Sequence, residues 1–155
     1  MAFLVALSSC EARQDEPLVS PIVNSTASKP QASELAALID QGNSLMDTKQ
    51  FAEAVEAYGR ALESDPANLD VRVDRGTCYR ALGQPEKALA EYAKALHQNP
   101  NHVNVNRNSG VVLATDLGRN AEAVVYLARY LELVPAATDR EQIQLWIEQL
   151  KKTNK

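Results

Sequence analysis

The chain has 155 residues and a formal net charge of −4, and its 45% hydrophobic residues suit one compact domain with a tail. An acidic balance argues against a nucleic-acid binder, which needs a concentrated basic surface, and two cysteines and two histidines argue against a disulfide-dense or metal-rich protein. No apolar run reaches the roughly 18–20 residues that a membrane-spanning helix needs.

The amino terminus combines a short apolar run, Ala2–Leu7, with the sequence Leu7-Ser8-Ser9-Cys10. This segment resembles the lipobox of bacterial lipoproteins, in which the signal is cleaved before a cysteine whose thiol receives a diacylglycerol. The resemblance implies a signal segment at 1–9 and lipidation of Cys10. Because residues 1–9 contain no Lys or Arg and the apolar run is short for a secretory signal, we expect the segment to be truncated or its start misassigned. The alternative is a frayed terminus with a free Cys10.

Residues 10–32 mix Ser, Thr, Pro and charge without a helical period, which predicts a flexible linker. Glu11 follows the cysteine, whereas Asp there typically retains bacterial lipoproteins in the inner membrane. For a Gram-negative source the resemblance therefore implies the outer membrane, facing the periplasm. The alternative is a soluble protein of the cytoplasm or periplasm.

From Ser33 onward, at 33–155, apolar residues recur at helical spacing, and a period of about 34 residues is visible. The repeated positions are Gly42, Gly76 and Gly110; Ala54, Ala88 and Ala123; and Pro66, Pro100 and Pro135. One extra residue of the third unit lies between Gly110 and Ala123. Each unit predicts a helix–turn–helix, since Gly83 can end a helix in the left-handed conformation and Pro85 suits the start of the next.

These positions resemble the tetratricopeptide repeat family, with units at 35–68, 69–102 and 103–137. The resemblance implies an all-α fold, a right-handed α–α superhelix of three helix pairs. The bulky residue expected near the start of each pair is Leu38 in the first unit but Arg72 and Asn106 later. Tyr130 replaces a small Ala, which predicts that the third unit packs against the last helix.

Residues 138–152 are predicted to form a capping helix for the last repeat, because a repeat stack otherwise exposes its final apolar face. Thr138 to Glu141 has the capping-box pattern. An apolar stripe follows at helical spacing: Ile143, Trp146, Ile147 and Leu150. The alternative is a helix that binds a partner.

No catalytic, metal or cofactor constellation stands out in the sequence. His97 and His102 are not completed by a Cys or carboxylate cluster, and no glycine-rich phosphate loop is present. Cys78 is expected to be a buried thiol. The sequence therefore predicts no enzyme, cofactor, metal or small-molecule substrate.

In the tetratricopeptide family, the first helices of successive pairs line a concave groove, and the resemblance implies a protein or peptide ligand there. The expected lining positions share one helical face: Ile39, Asp40, Asn43; Asp70, Val73, Asp74, Thr77, Arg80; and Asn104, Arg107, Asn108, Val111. Asn side chains can both donate to and accept from a peptide backbone. The alternative for each position is a solvated polar side chain.

Chaperone-binding members of the family clamp a terminal carboxylate with Lys and Arg. The corresponding positions hold apolar residues or amides: Ile39 or Val73, Asn104 and Asn108. A carboxylate clamp is therefore not expected, and Asp40, Asp70 and Asp74 favour a basic or neutral ligand. The sequence predicts a membrane-tethered adaptor or scaffold of the bacterial cell envelope. The alternative is a soluble interaction module, or a co-chaperone-like assembly factor, without a lipid anchor.

Overall fold

The computed structural model describes residues 29–153, and this range folds into seven α-helices without a β-strand. The helices are α1 (Lys29–Asp47), α2 (Phe51–Ser64), α3 (Leu69–Ala81), α4 (Pro85–Gln98), α5 (Val103–Val111), α6 (Asn120–Leu133) and α7 (Arg140–Lys152). Each packs against its neighbours in the chain, as three pairs followed by a last helix. The all-α prediction is confirmed. The predicted signal segment, Cys10 and most of the linker lie outside the described residues.

The linker boundary differs from the prediction, because α1 begins at Lys29 and not at Ser33. Proline is compatible with the first turn of a helix, where its missing N–H would have no partner, so Pro30 does not exclude an early start. Within 29–153, none of the helices is long and apolar enough to cross a membrane.

The two helices of each pair meet at a glycine of the first helix. The contacts are Gly42 with Tyr58, Gly76 with Tyr92, and Gly110 with Leu127. A Cβ atom on these glycines would lie 2.4–2.6 Å from the partner side chain, which is closer than carbon atoms can approach. The glycines therefore provide the space that the large side chains of the second helices occupy.

Polar residues replace the expected bulky side chain in the second and third units. Arg72 donates to the backbone carbonyl of Pro66 and pairs with Glu91 at 3.2 Å. Asn106 donates to the carbonyl of Pro100 at 3.1 Å. Pro66 and Pro100 are equivalent in the repeat, so both side chains bind the turn that precedes their own helix. Both are buried, and the hydrogen bonds offset the cost of burying them.

The extra residue of the third unit lies in a π-helical turn, Val112–Asp116, that continues α5. The amide of Leu117 donates to the carbonyl of Val112 at 3.2 Å, which is the i to i+5 bond of such a turn. The predicted insertion between Gly110 and Ala123 is confirmed. Gly118 then ends the turn at φ +64°, as Gly83 does at φ +70° in the second unit.

The capping box predicted at Thr138 does not form, because α7 begins at Arg140 and no side chain caps its first turn. The carboxylate of Asp139 instead accepts a hydrogen bond from the Tyr130 hydroxyl at 2.7 Å and lies 3.2 Å from Nε of Arg107. These contacts come from two other helices and compete with the local cap.

Three members of the predicted stripe on α7 are buried against the third repeat: Ile143, Ile147 and Leu150. Tyr130 belongs to the same cluster, which confirms that the third unit packs against the last helix. Trp146 is only half-buried and lies at the edge of this cluster.

Replacing Gly76 with Ala is expected to lower the free energy of unfolding by about 1–3 kcal/mol, because the new methyl group overlaps the Tyr92 ring. Gly59→Ala is the matched control. Its Cβ would lie 3.5 Å from Arg75, an ordinary contact, so this change inside α2 should stabilise by roughly 0.5–1 kcal/mol. Urea unfolding followed by circular dichroism measures both, and equal effects would contradict the packing argument.

Candidate functional site: a concave groove

The first helices of the three pairs lie side by side and form one face. The hydroxyl of Tyr92 lies 3.2 Å from Oγ1 of Thr77 on α3, and Asn108 on α5 lies near the same hydroxyl. Arg80 on α3 reaches Asp116, after α5, at 2.6 Å. The Arg107–Asp139 pair links α5 to the start of α7 in the same way. We call this face of α1, α3, α5 and α7 the groove.

Two of the amides that the sequence predicted in the groove, Asn43 and Asn108, lie beside tyrosine hydroxyls. The Tyr58 hydroxyl donates to Oδ1 of Asn43 at 2.8 Å. Burial, and then the charge of Asp74, raises the pKa of Tyr58, so the hydroxyl stays protonated and remains a donor. Because Oδ1 is occupied, Asn43 has its Nδ2 group left to donate to a ligand.

Asn108 is oriented the opposite way. Thr77 uses its hydroxyl hydrogen on the carbonyl of Val73, so Tyr92 must donate to Thr77. The Tyr92 oxygen can then only accept, so the half-buried Asn108 amide beside it on α5 would turn its N–H group towards that oxygen. Oδ1 of Asn108 is left to accept. The groove thus presents an amide donor on α1 and an amide acceptor on α5, the two groups that an extended peptide backbone needs.

Four aspartates make one half of the groove acidic, and we call this set the acidic end: Asp40, Asp47, Asp70 and Asp74. The first three are exposed and Asp74 is half-buried. In the part of the chain that the structure describes, none of them forms an ion pair with Lys, Arg or His. Burial, and then the charge of Asp70, raises the pKa of Asp74, which shows that its negative charge is poorly compensated.

The cations predicted for the groove do not neutralise the acidic end. Arg80 forms an ion pair with Asp116 and donates a hydrogen bond to Oγ1 of Thr115 at 3.1 Å. Arg107 is committed to Asp139, with its guanidinium 6.0 Å from the centre of the Tyr130 ring.

The other half of the groove combines apolar and polar side chains. A cavity of about 460 Å³ lies between α5 and α7, and we call it the α5–α7 cavity. Its lining is Val111, Ile143, Leu145 and Trp146, with Arg107, Gln142 and Gln149 at the polar side. Leu145 is 61% exposed. Sequence reasoning placed Trp146 in the cap's packing stripe and missed Leu145. Helical spacing could have identified Leu145, because Leu145 and Trp146 both follow Gln142, another residue that lines the cavity, by about one helical turn.

The structure places the remaining predicted residues unequally. Val73 is 8% exposed and packs in the core, so it offers little surface to a ligand. Ile39 is half-buried and packs on the core of the first pair. Asn104 is exposed, and Val111 lines the α5–α7 cavity.

Other reactive side chains have structural positions. Cys78 is fully buried as predicted, and burial, with the charge of Asp74, raises the pKa of its thiol to about 11. His102 caps α5, where its Nδ1 accepts from the amide of Val105 at 3.4 Å. Over residues 29–153, no three His, Cys, Asp or Glu side chains converge on a position suited to a metal ion.

Residues 45–107 match the sequence model of the tetratricopeptide repeat family. This matched part of the chain, from the end of α1 into α5, is made of tetratricopeptide repeats. These repeats form a protein–protein interaction module, and their stack is the all-α superhelix that the sequence resemblance implied. No curated protein sequence matches the chain significantly.

Solved structures agree with this fold. The second tetratricopeptide domain of human RPAP3, in complex with the HSP70 peptide SGPTIEEVD, is 21% identical, with a TM-score of 0.68 over 78% of this chain and 98% of that one. The Yersinia enterocolitica type III secretion chaperone SycD, in complex with a peptide of the translocator YopD, is 16% identical, with a TM-score of 0.71 over 79% and 96%. The Sgt2 domain from Aspergillus fumigatus is 25% identical, with a TM-score of 0.67 over 77% and 78%.

Replacing Asp74 with Asn is expected to raise the free energy of unfolding at pH 7. A carboxyl whose pKa is higher in the folded state destabilises the fold above that pKa, where it is charged, and the penalty disappears as the pH falls towards the unfolded value of about 3.9. The gain from Asn should therefore vanish in acid. Thermal unfolding between pH 3.5 and 7 measures it. Exposed Glu56→Gln on α2 should show no such gain, and a stability loss in Asp74→Asn at pH 7 would refute the argument.

Proposed function

We propose that the protein is a membrane-tethered adaptor of the bacterial cell envelope that holds a segment of a partner protein in its groove. The observation that carries this proposal is the amide pair described above. Asn43 is fixed by the Tyr58 hydroxyl and presents a free donor, and Asn108, beside the Tyr92 hydroxyl, offers an acceptor on the same face. Pre-oriented groups lose little entropy when a ligand binds, which favours recognition of an extended peptide backbone.

Peptide ligands of the structural neighbours support the same class of ligand. The RPAP3 domain is in complex with an HSP70 peptide, and SycD with a YopD peptide. The HSP70 peptide ends in Glu-Glu-Val-Asp, and such a segment would meet the acidic end of this groove. Like charges placed together oppose binding, so this chain is proposed to bind a different segment.

The tether is proposed from Leu7-Ser8-Ser9-Cys10, the lipobox resemblance. Residues 11–28 separate the cysteine from α1, and a flexible linker of that length would span roughly 20–25 Å. The repeats would then be held close to the bilayer but clear of it. Glu11 after the cysteine favours the outer membrane, facing the periplasm, if the source is Gram-negative.

The double variant Asn43→Ala/Asn108→Ala should lose partner recovery when the full chain is crosslinked in native membranes and its partners are quantified by mass spectrometry. Both changes remove the free backbone-binding groups from the groove. The exposed amide variant Gln144→Ala, on α7, is the control and should recover partners as the unmodified chain does. Unfolding curves confirm that both variants are folded. Equal recovery of every partner by the double variant would refute a groove ligand.

Cys10→Ser should move the protein from the membrane fraction to the soluble fraction, because a hydroxyl cannot accept the thioether-linked lipid. Metabolic labelling with an alkyne fatty acid should mark the unmodified chain and not this variant. Cys78→Ser is the control, since Cys78 is buried within the fold, and it should keep both label and membrane association. A soluble, unlabelled parent chain would favour the alternative of an untethered interaction module.

A further inference from the structure

We propose that the groove's ligand is a basic segment of a separate protein with one large apolar side chain, and that this side chain occupies the α5–α7 cavity while the basic residues lie at the acidic end. The inference rests on the proposed function and specifies the chemistry of the partner. It uses two features at opposite ends of the groove that the tetratricopeptide fold itself does not require.

The α5–α7 cavity suits one apolar side chain. Leu145 is 61% exposed and Trp146 is half-buried, so both leave apolar surface open to water inside a concave site. Covering this surface with an apolar side chain would remove it from water at roughly 25 cal/mol per Å². Gln142 and Gln149 lie at the same cavity and can hydrogen-bond the backbone that carries the side chain.

Charge identifies the rest of the ligand. The acidic end has four aspartates without a cationic partner among residues 29–153, while Arg80 and Arg107 are already paired. Lys or Arg side chains would compensate these charges, and the raised pKa of Asp74 would fall on binding.

The chain itself is a poor occupant. Residues 1–28 contain one basic residue, Arg13, and three acidic ones, Glu11, Asp15 and Glu16, and so have a net charge of −2. A second copy brings a net charge of −4. Both would add negative charge beside the acidic end, so the complementary occupant is a basic segment of another protein.

Helix spacing sets the distance between the two kinds of contact. Asp70 and Asp74 lie on α3, whereas the cavity lies between α5 and α7. An extended chain rises about 3.3 Å per residue, so a ligand that reaches both contacts carries its basic residues several positions from the apolar one.

Selection of a displayed library of random peptides on the full chain tests this composition. Bound peptides should be enriched in Lys or Arg several positions from one Leu, Ile, Phe or Met. The groove is verified separately, since binding of the selected peptides should be lost in Asn43→Ala/Asn108→Ala. Peptides that need these amides but are acidic, or lack an apolar residue, would overturn this inference and leave the proposed function standing. Selection of no groove-dependent peptide would count against both.

Matched variants test the two ends with a selected synthetic peptide that lacks Trp. Leu145→Ser should weaken binding roughly tenfold, because it removes apolar surface from the cavity. Val125→Ser, an equally exposed apolar position on α6, should change binding less than about twofold.

The acidic end is tested in the same way. Asp40→Asn/Asp70→Asn should weaken binding and flatten its salt dependence, whereas Glu56→Gln/Glu63→Gln on α2 should not. Equal effects within either pair would overturn the inference.

The single tryptophan, Trp146, reports on the cavity directly. Its emission should shift to shorter wavelength when the peptide binds, because the apolar side chain excludes water from the indole. A shift that appears on raising the protein concentration alone would assign the cavity to a second copy. Displacement of the selected peptide by a synthetic peptide of residues 11–28 would assign it to the chain's own segment. Either result would overturn the inference.

Discussion

The contact between a glycine of one helix and a ring of the next determines both the stability and the binding face of this protein. Because Gly42 and Gly76 have no side chain, the rings of Tyr58 and Tyr92 pack directly against α1 and α3. Each ring extends far enough to place its hydroxyl at the groove. The side chains that bind ligand are therefore held by the same contacts that join the helices. In the third pair Leu127 takes the place of the tyrosine and has no hydroxyl to carry to the groove.

The distribution of charge follows a similar division. On α4, away from the groove, the buried carboxylate of Glu91 forms ion pairs at 2.8–3.2 Å with three cations: Arg72, Arg75 and Lys94. These cations compensate its charge. In the part of the chain that the structure describes, the aspartates of the acidic end have no such cationic partners, and burial, then the charge of Asp70, raises the pKa of Asp74 at a cost in stability. Unfavourable charge retained on an open face is the pattern expected where a surface is used for binding.

The repeat period was enough to predict the helix pairs, their glycines, the left-handed turn at Gly83 and the position of the extra residue. Local patterns were less informative where distant residues compete. Asp139 is hydrogen-bonded to Tyr130 and Arg107, and the predicted capping box does not form. Val73 packs in the core although its helical spacing matches the groove positions. Lys49 occupies the turn position of Gly83 and Gly118 at φ +61°, which residue type alone does not suggest.

The π-helical turn means that the repeats are not interchangeable modules. Its additional residue brings Thr115 and Asp116 to Arg80 across the edge of the stack, a contact that a 34-residue unit could not reproduce at the same point. Duplicating the second repeat, or exchanging it with the third, would leave Arg80 without its carboxylate and return a positive charge to the groove. The order of the repeats therefore affects the charge of the groove. Lengthening the solenoid by copying a repeat would change which ligands the concave face binds.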